Sequence, residues 1–185
     1  FADGVPVGWL QRKISNKDAK QIQGYEIMLA ICERAVTLGE KVGFIGSTQE
    51  VMRGLVGNLT EQFEGLSVPY QRCPPFMQGE LVSTQAELQA INDSGIKWLF
   101  VGLGCPKQEK WIATYKNELD CHVLGIGAAF DWISGTTTQP PQWMQKHALA
   151  WLYRLVKNPF KMGPRYLKYN TKFILKLPRA LFGRR

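Results

Sequence analysis

A chain of 185 residues, 45% of them hydrophobic, is long enough to bury one sizeable core and leave an appendage. Its formal charge of +8 is unevenly placed: residues 1–131 hold 12 Lys/Arg against 15 Asp/Glu, whereas residues 132–185 hold 11 Lys/Arg and no acid. That asymmetry turns the C-terminal end toward a membrane surface or a nucleic acid, while the lack of an opening signal segment or a bilayer-length apolar run argues against secretion and spanning.

Phe1 is not an initiating residue, so further residues are expected upstream. Phe1–Gly8 opens on Asp-Gly, a turn-forming pair behind an apolar residue, as where a strand ends; Asp3 then lies at a strand edge. From Asp18 to Leu38, Ile22, Tyr25, Leu29, Cys32 and Val36 recur at the spacing of a helix burying one face, and Gly39 stops it. Val42–Gly46 is a short buried strand. Ser47 and Glu50 then spell a capping box for a helix carrying Val51, Leu55 and Leu59. The turn Gly46–Thr48 reads first as that capped start and second as a ligand loop. Leu66–Arg72 is a weaker strand, followed by the loop CPPFMQGE, and Thr84 with Glu87 boxes a helix running to Asp93.

The chain is organised around Lys97–Trp111. Ile96, Trp98, Leu99, Phe100, Val101 and Leu103 read as a strand buried on both faces, ended by Gly102 and Gly104. Pro106 suits a first helical turn, which sets Lys107, Gln108 and Glu109 at a helix N-terminus beyond a strand's carboxyl end. Backbone N–H groups, the helix dipole and the charge of Lys107 favour a phosphate there, although an ordinary strand-to-helix turn fits the same residues. Cys121–Gly127 is another buried strand, leading into the loop AAFDWISG with Asp131; His122 inside it reads as a core or edge histidine. Beyond Gly135, TTTQPPQW is a loop and His147–Lys157 an apolar helix bearing Arg154, broken by Pro159. Tyr166, Tyr169, Phe173 and Leu177 then recur beside Arg165, Lys168, Lys172 and Lys176. This pattern suits the interface of an anionic bilayer, the alternative being a helix docked on the body.

Strands alternating with helices predict an α/β fold: a Rossmann-like, mostly parallel sheet with helices on both faces over residues 1–135, and a basic amphipathic helical appendage over 136–185. Loops at Asp3, Gly102–Glu109 and Gly127–Asp131 would converge on one rim. Cys32, Cys73, Cys105 and Cys121 form no CxxC pair and read as reduced thiols, chiefly buried and inert, with Cys105 alone in a candidate site. Neither GLGCPK nor GIGAAF completes GxGxxG, and no Walker lysine, GxSxG, HExxH or deaminase motif is present. No Asp-x-Asp pair offers to hold a divalent metal on a diphosphate, so no metal or cofactor is expected. Helix N-termini with Lys or Arg would have to meet a diphosphate's charge.

In their order and spacing, ADG, FIGS, VGLGCPKQEKW, GIGAAFDWISG and PPQWMQKHALAWLYRLVKNPF resemble the WecG/TagA/CpsF family of bacterial glycosyltransferases over nearly the whole chain. The resemblance implies an inverting, metal-independent transferase, cytoplasmic and peripherally bound at the inner face of the plasma membrane. Such an enzyme moves a sugar from a UDP-sugar to a polyprenyl-diphosphate-linked saccharide in surface-polysaccharide or teichoic-acid-type synthesis. It places the base on Asp3, which otherwise only shapes its turn. Gln108 and Glu109 match the PxQE motif and contact sugar or nucleotide, or cap their helix; Asp131 matches the FD of the glycine loop, or serves structure. With Gly46, Gly102, Gly104, Pro106, Lys107 and Gly127, and with Arg154, Lys161 and Arg165 from the appendage, they make up the expected substrate-binding set.

The resemblance also implies an N-terminal segment with a functional threonine, expected to lie upstream of Phe1. The chain departs from the pattern at Gln139 before Pro140 and Pro141, at Ala150, and at Phe160, Lys161, Pro164 and Arg165, where an arginine cluster is thinned. Arginine forks on a diphosphate are not equivalent to lysine. The expected partners are the UDP-sugar, the lipid-linked acceptor and an anionic membrane, and no nucleic acid. The alternatives are an inactive relative scaffolding a polymer-assembly complex, or a nucleic-acid-binding module using the basic tail.

Overall fold

The computed structural model describes residues 10, 12–13, 22–75, 81–141, 143–144, 147, 149–157, 159–160, 163–164, 167 and 171. The chain divides into two compact units, residues 22–138 and a second made of 1–21 with 139–185.

In the first unit, β1 (Lys41–Gly46), β2 (Ser67–Arg72), β3 (Trp98–Gly102) and β4 (His122–Gly125) form one all-parallel sheet in the order β2-β1-β3-β4. The helices are α1 (Gly24–Leu38), α2 (Gln49–Gln62), α3 (Gln85–Asp93), α4 (Lys107–Tyr115) and the short α5 (Ala129–Ile133). The expected Rossmann-like architecture is thus present. Alternation along the central strands builds its two cores. Val42, Phe44 and Phe100 join Met28, Cys32 and Ala35 of α1 and Val51, Met52, Leu55 and Leu59 of α2. Ile45, Leu99 and Val101 join Leu88 and Ile91 of α3 and Trp111 of α4. Because β1 and β3 are covered on both faces, they read as unbroken apolar runs; β2, at the sheet edge, alternates between exposed and half-buried residues.

Local signals placed most boundaries. Gly39 ends α1 in the left-handed region at φ 66°, and Thr84 with Glu87 forms the expected capping box of α3. Several readings are corrected. The helix expected from Asp18 opens at Gly24 behind Gln23, whose N–H donates to Glu26; residues 18–21 lie outside the described part. Thr48 rather than Ser47 caps α2, its Oγ1 accepting from the Val51 N–H at 3.3 Å. Gly46 at φ 127° and Ser47 at φ 60° prolong the turn by one residue, so Glu50 falls out of the box. The supposed loop AAFDWISG contains α5, five residues being too few to show a helical period. In the second unit α6 spans only Ala150–Lys157, while His147 sits in a turn with its ring against the Trp143 carbonyl at 2.7 Å. α6 stops at Lys157, ahead of Pro159, the residue expected to break it; Pro159 and Phe160 are themselves helical, and residue 158 lies outside the described residues. Among the described residues no helix is long and apolar enough to cross a membrane.

His122 opens β4 as an exposed edge residue, its ring 4.7 Å from that of Trp98. Burial pushes the Cys32 thiol up to about 12, and burial with Asp120 alongside pushes that of Cys121 up to about 11. Both therefore stay protonated and unreactive near neutrality. Cys105 is exposed.

Candidate functional site

From β1 the sheet grows one way to β2 and the other way to β3, so the order of connection reverses between β1 and β3. Ligands of open parallel sheets bind outside the carboxyl ends at such a point. Here the floor is made of glycine. Gly46 and Gly102 are paired across the two strand ends. A Cβ on Gly46 would lie 2.5 Å from the Gly102 carbonyl carbon, and one on Gly102 would lie 2.5 Å from the ring of Phe130. Phe130, from α5, is buried edge-on against Phe44 at 5.7 Å. Packing alone thus requires both glycines. Gly102→Ala should lower stability by about 1–3 kcal/mol through overpacking. Thermal unfolding checks this, and the added change Phe130→Leu, which makes room, should recover part of the loss.

Above this floor three turns lie side by side: Ser47–Thr48 after β1, Leu103–Pro106 after β3, and Ile126–Ala128 after β4, the last still tied to β3 by the Ile126 N–H on the Val101 carbonyl at 3.1 Å. Gly104, at φ 77° and with nothing within 4 Å of where a Cβ would stand, faces open space. Its carbonyl accepts the Gln108 N–H at 3.0 Å, closing the first turn of α4. Pro106 is the N-cap of α4 rather than a residue of its first turn.

Gln108 links two of these turns. Only 6% exposed, its side chain crosses from α4 to the end of β4, with Nε2 3.0 Å from where a Cβ of Gly125 would stand and Oε1 3.4 Å from that of Gly127. The two glycines leave the space it occupies. Nε2 donates to Glu109 Oε1 at 3.1 Å, whereas the buried Oε1 has no hydrogen-bond partner. Burying an acceptor unpaired costs about 1–3 kcal/mol. An arrangement that keeps such a group is suited to receiving a donor from a ligand.

The electrostatics of the rim favour an anion. The N-terminal ends of α2 and α4 both follow strand carboxyl ends here, each with the positive end of a helix dipole. Lys107, half-buried, opens α4, and exposed Glu109 lies in its first turn. Asp131, half-buried, stands in α5; its carbonyl accepts from the Thr137 N–H, the Thr136 hydroxyl and the Ser134 hydroxyl at 3.0–3.1 Å, closing the turn behind that helix. Among the described residues no group of three or more His, Cys, Asp or Glu is placed to hold a metal ion.

Of the residues singled out from the sequence, Gly46, Gly102, Gly104, Pro106, Lys107, Gln108, Glu109, Gly127 and Asp131 all belong to this rim of the first unit. Asp3, Lys161 and Arg165 lie outside the described residues, as do Tyr166, Tyr169, Phe173 and Leu177; Arg154 is in α6, its side chain not described. Sequence reasoning missed Phe130 as the floor and Gly125 as the space for Gln108. Gly125, the first glycine of GIG, lay within the expected strand, and nothing in the sequence ties it to α4.

The family model for the glycosyl transferase WecG/TagA/CpsF family matches residues 1–185. An N-acetylglucosaminyldiphosphoundecaprenol N-acetyl-beta-D-mannosaminyltransferase of Bacillus subtilis (strain 168) is 26% identical over 160 residues, covering 86% of this chain and 60% of its own length. Proteins of the same name from Staphylococcus aureus strains MW2 and MRSA252 are 27% identical over 180 residues, covering 97% of this chain and 68% of theirs. The chain thus spans about three-fifths to two-thirds of the length of these relatives. With its parallel sheet and the glycine-floored rim at the β1–β3 switch point, the chain belongs to the WecG/TagA/CpsF family of glycosyl transferases.

Proposed function

We propose that the chain forms the main part of an inverting, metal-independent glycosyltransferase that uses a UDP-linked N-acetylhexosamine and a polyprenyl-diphosphate-linked sugar as acceptor. The observation that carries this reading is the buried, unpartnered Gln108 Oε1 at the carboxyl rim of a family member. The names of the relatives support an N-acetylmannosaminyl donor and an N-acetylglucosaminyl diphospholipid acceptor. In the reaction the acceptor hydroxyl attacks the anomeric carbon from the face opposite the nucleotide, while the bond from that carbon to the diphosphate breaks. Asp3 takes the hydroxyl proton as general base. The departing UDP keeps the bonding electrons, and its added charge is met by the N-termini of α2 and α4, by Lys107 and, from the appendage, by Arg154, Lys161 and Arg165. Gly46, Gly102, Gly104, Pro106 and Gly127 let the backbone approach the donor, Gln108 and Glu109 orient it, and Asp131 holds the last turn of the rim.

The test is transfer by the full-length protein from UDP-N-acetylmannosamine to a short-chain N-acetylglucosaminyl diphospholipid, run with and without excess EDTA. Product should form equally in both. A folded protein that transfers from no UDP-N-acetylhexosamine would support the scaffolding reading, and a strict need for added manganese or magnesium would contradict metal independence.

The appendage is assigned to the inner, anionic leaflet of the plasma membrane. Leu152, Val156, Phe160 and Leu167, separated by four, four and seven residues, are all exposed, Val156 at 73% and Phe160 at 95%. The apolar series thus begins in α6, upstream of the stretch from Arg165 marked out by sequence. Burial of such side chains contributes about 1.5–3 kcal/mol each, and nearby lysines add roughly 1 kcal/mol each near anionic lipid, a term that salt weakens. Val156→Ser with Phe160→Ser should therefore reduce sedimentation with phosphatidylglycerol vesicles by at least about tenfold even at low salt. Unchanged sedimentation would remove α6 from the membrane contact, and equal binding to oligonucleotides would favour a nucleic-acid partner.

A further inference from the structure

Among the described residues outside the rim, one polar residue is buried, hydrogen-bonded to Trp111 of the second core. Ser83 is 7% exposed and sits just before α3. Its Oγ accepts two hydrogen bonds, from Arg72 Nη1 at 3.1 Å and from Trp111 Nε1 at 3.0 Å, and its N–H donates to the Tyr115 hydroxyl at 3.0 Å. Arg72 also forms an ion pair with Glu87, whose other carboxylate oxygen accepts the Thr84 N–H at 2.8 Å. Four segments are tied at this point: the carboxyl end of β2, residues 81–84, the first turn of α3 and the buried face of α4.

The link to the rim runs through α4. Trp111 is 2% exposed and lies one turn beyond Gln108, so both buried side chains project from the same side of one helix. Tyr115, the next turn on, packs its ring 5.3 Å from that of Trp111. An apolar contact fixes a helix loosely about its own axis, because large rings slide at little cost. Directed bonds to Nε1 of Trp111 and to the Tyr115 hydroxyl fix both its rotation and its advance along the sheet. The amide of Gln108 lies in the gap over Gly125 and Gly127, so a small rotation of α4 would move it out of place.

We propose that Ser83 is a positioning residue of the transferase: through Trp111 and Tyr115 it sets the register of α4, and with it the placement of Gln108 and Lys107 against the sugar donor. This rests on the transferase reading given above, but the placement of α4 is measurable without it. In the full-length protein, Ser83→Ala should raise the KM for the UDP-sugar about tenfold, with kcat at saturating donor and the KM for the acceptor changed less than about threefold. Trp111→Phe keeps a ring and removes the bonding N–H, so it should shift the donor KM in the same direction even if Ser83→Ala folds poorly. The double variant should be no worse than Ser83→Ala alone, because the bond that Trp111→Phe removes is one of the two that Ser83→Ala already removes. Ile91→Val, a core change on α3 with no bond to α4, should lower stability and leave the donor KM alone. Independently of turnover, hydrogen exchange of the amides of residues 107–111 should quicken in Ser83→Ala and Trp111→Phe but not in Ile91→Val. Unchanged donor KM and unchanged exchange in both variants would overturn the proposal and leave Ser83 a stability residue. Altered exchange in a wild-type background that transfers no sugar would instead overturn the transferase reading while leaving the placement of α4 by Ser83 intact.

Discussion

Asp3→Asn in the full-length protein is expected to lower turnover at saturating donor and acceptor by about two to four orders of magnitude. Asparagine keeps the size and the turn-forming capacity of aspartate but cannot take a proton. The acceptor hydroxyl must then attack with its proton still bound, or lose it to water. Binding of UDP should change little, because the proposed mechanism meets the charge of the diphosphate elsewhere, at the helix ends and the cations. Steady-state rates alongside the affinity for UDP measure the two effects separately. Turnover within a few-fold of wild type would remove Asp3 from the mechanism and leave it a turn residue.

Gln108→Met is expected to move stability and activity in opposite directions. Methionine is unbranched and of similar length, so it can follow the same path over Gly125 and Gly127. It carries no acceptor to bury unpaired, and the thermal midpoint should hold or rise. On the proposed reading the donor would, however, lose its partner at Oε1, and kcat/KM for the UDP-sugar should fall by about one to two orders of magnitude. The bond from Gln108 to Glu109 is also lost, but Glu109 is exposed and its carboxylate can turn to water instead, so this loss is the smaller effect. If both stability and kcat/KM fell together, Gln108 would be part of the packing and the case for a ligand at Oε1 would fail.

The residues that sequence placed well are those whose signal is local. A strand covered on both faces must be apolar without interruption, so Val42–Gly46 and Leu99–Val101 declared themselves. Thr84 and Glu87 sit at the fixed interval of a capping box, and Gly39 occupies a left-handed cap that other residues resist. The carboxyl-end turns followed from strand-to-helix order, since parallel strands put all such turns on one rim. What escaped is set by contacts between distant segments. Gly102 is confined by Phe130, 28 positions later, and Gln108 enters a gap left by Gly125 and Gly127. Ser83 gains its partners from β2 and α4, neither adjacent in sequence. The cap of α2 was misplaced by one residue because the positive φ of Ser47, a residue that ordinarily avoids it, leaves no trace in composition. Motif order identified the family, since no single motif was specific enough by itself, and the match along residues 1–185 bears that out.

Whether the rim is the donor site can be read from photoaffinity labelling of the full-length protein with an azido-uridine diphosphate sugar, followed by peptide mapping. Label is expected on the turns beyond β1, β3 and β4, within residues 46–50, 102–110 and 126–131, and should be lost when unlabelled UDP-sugar competes. Competed label confined to other segments, such as the outer face of α1, or no competed label at all, would contradict a donor site on this rim.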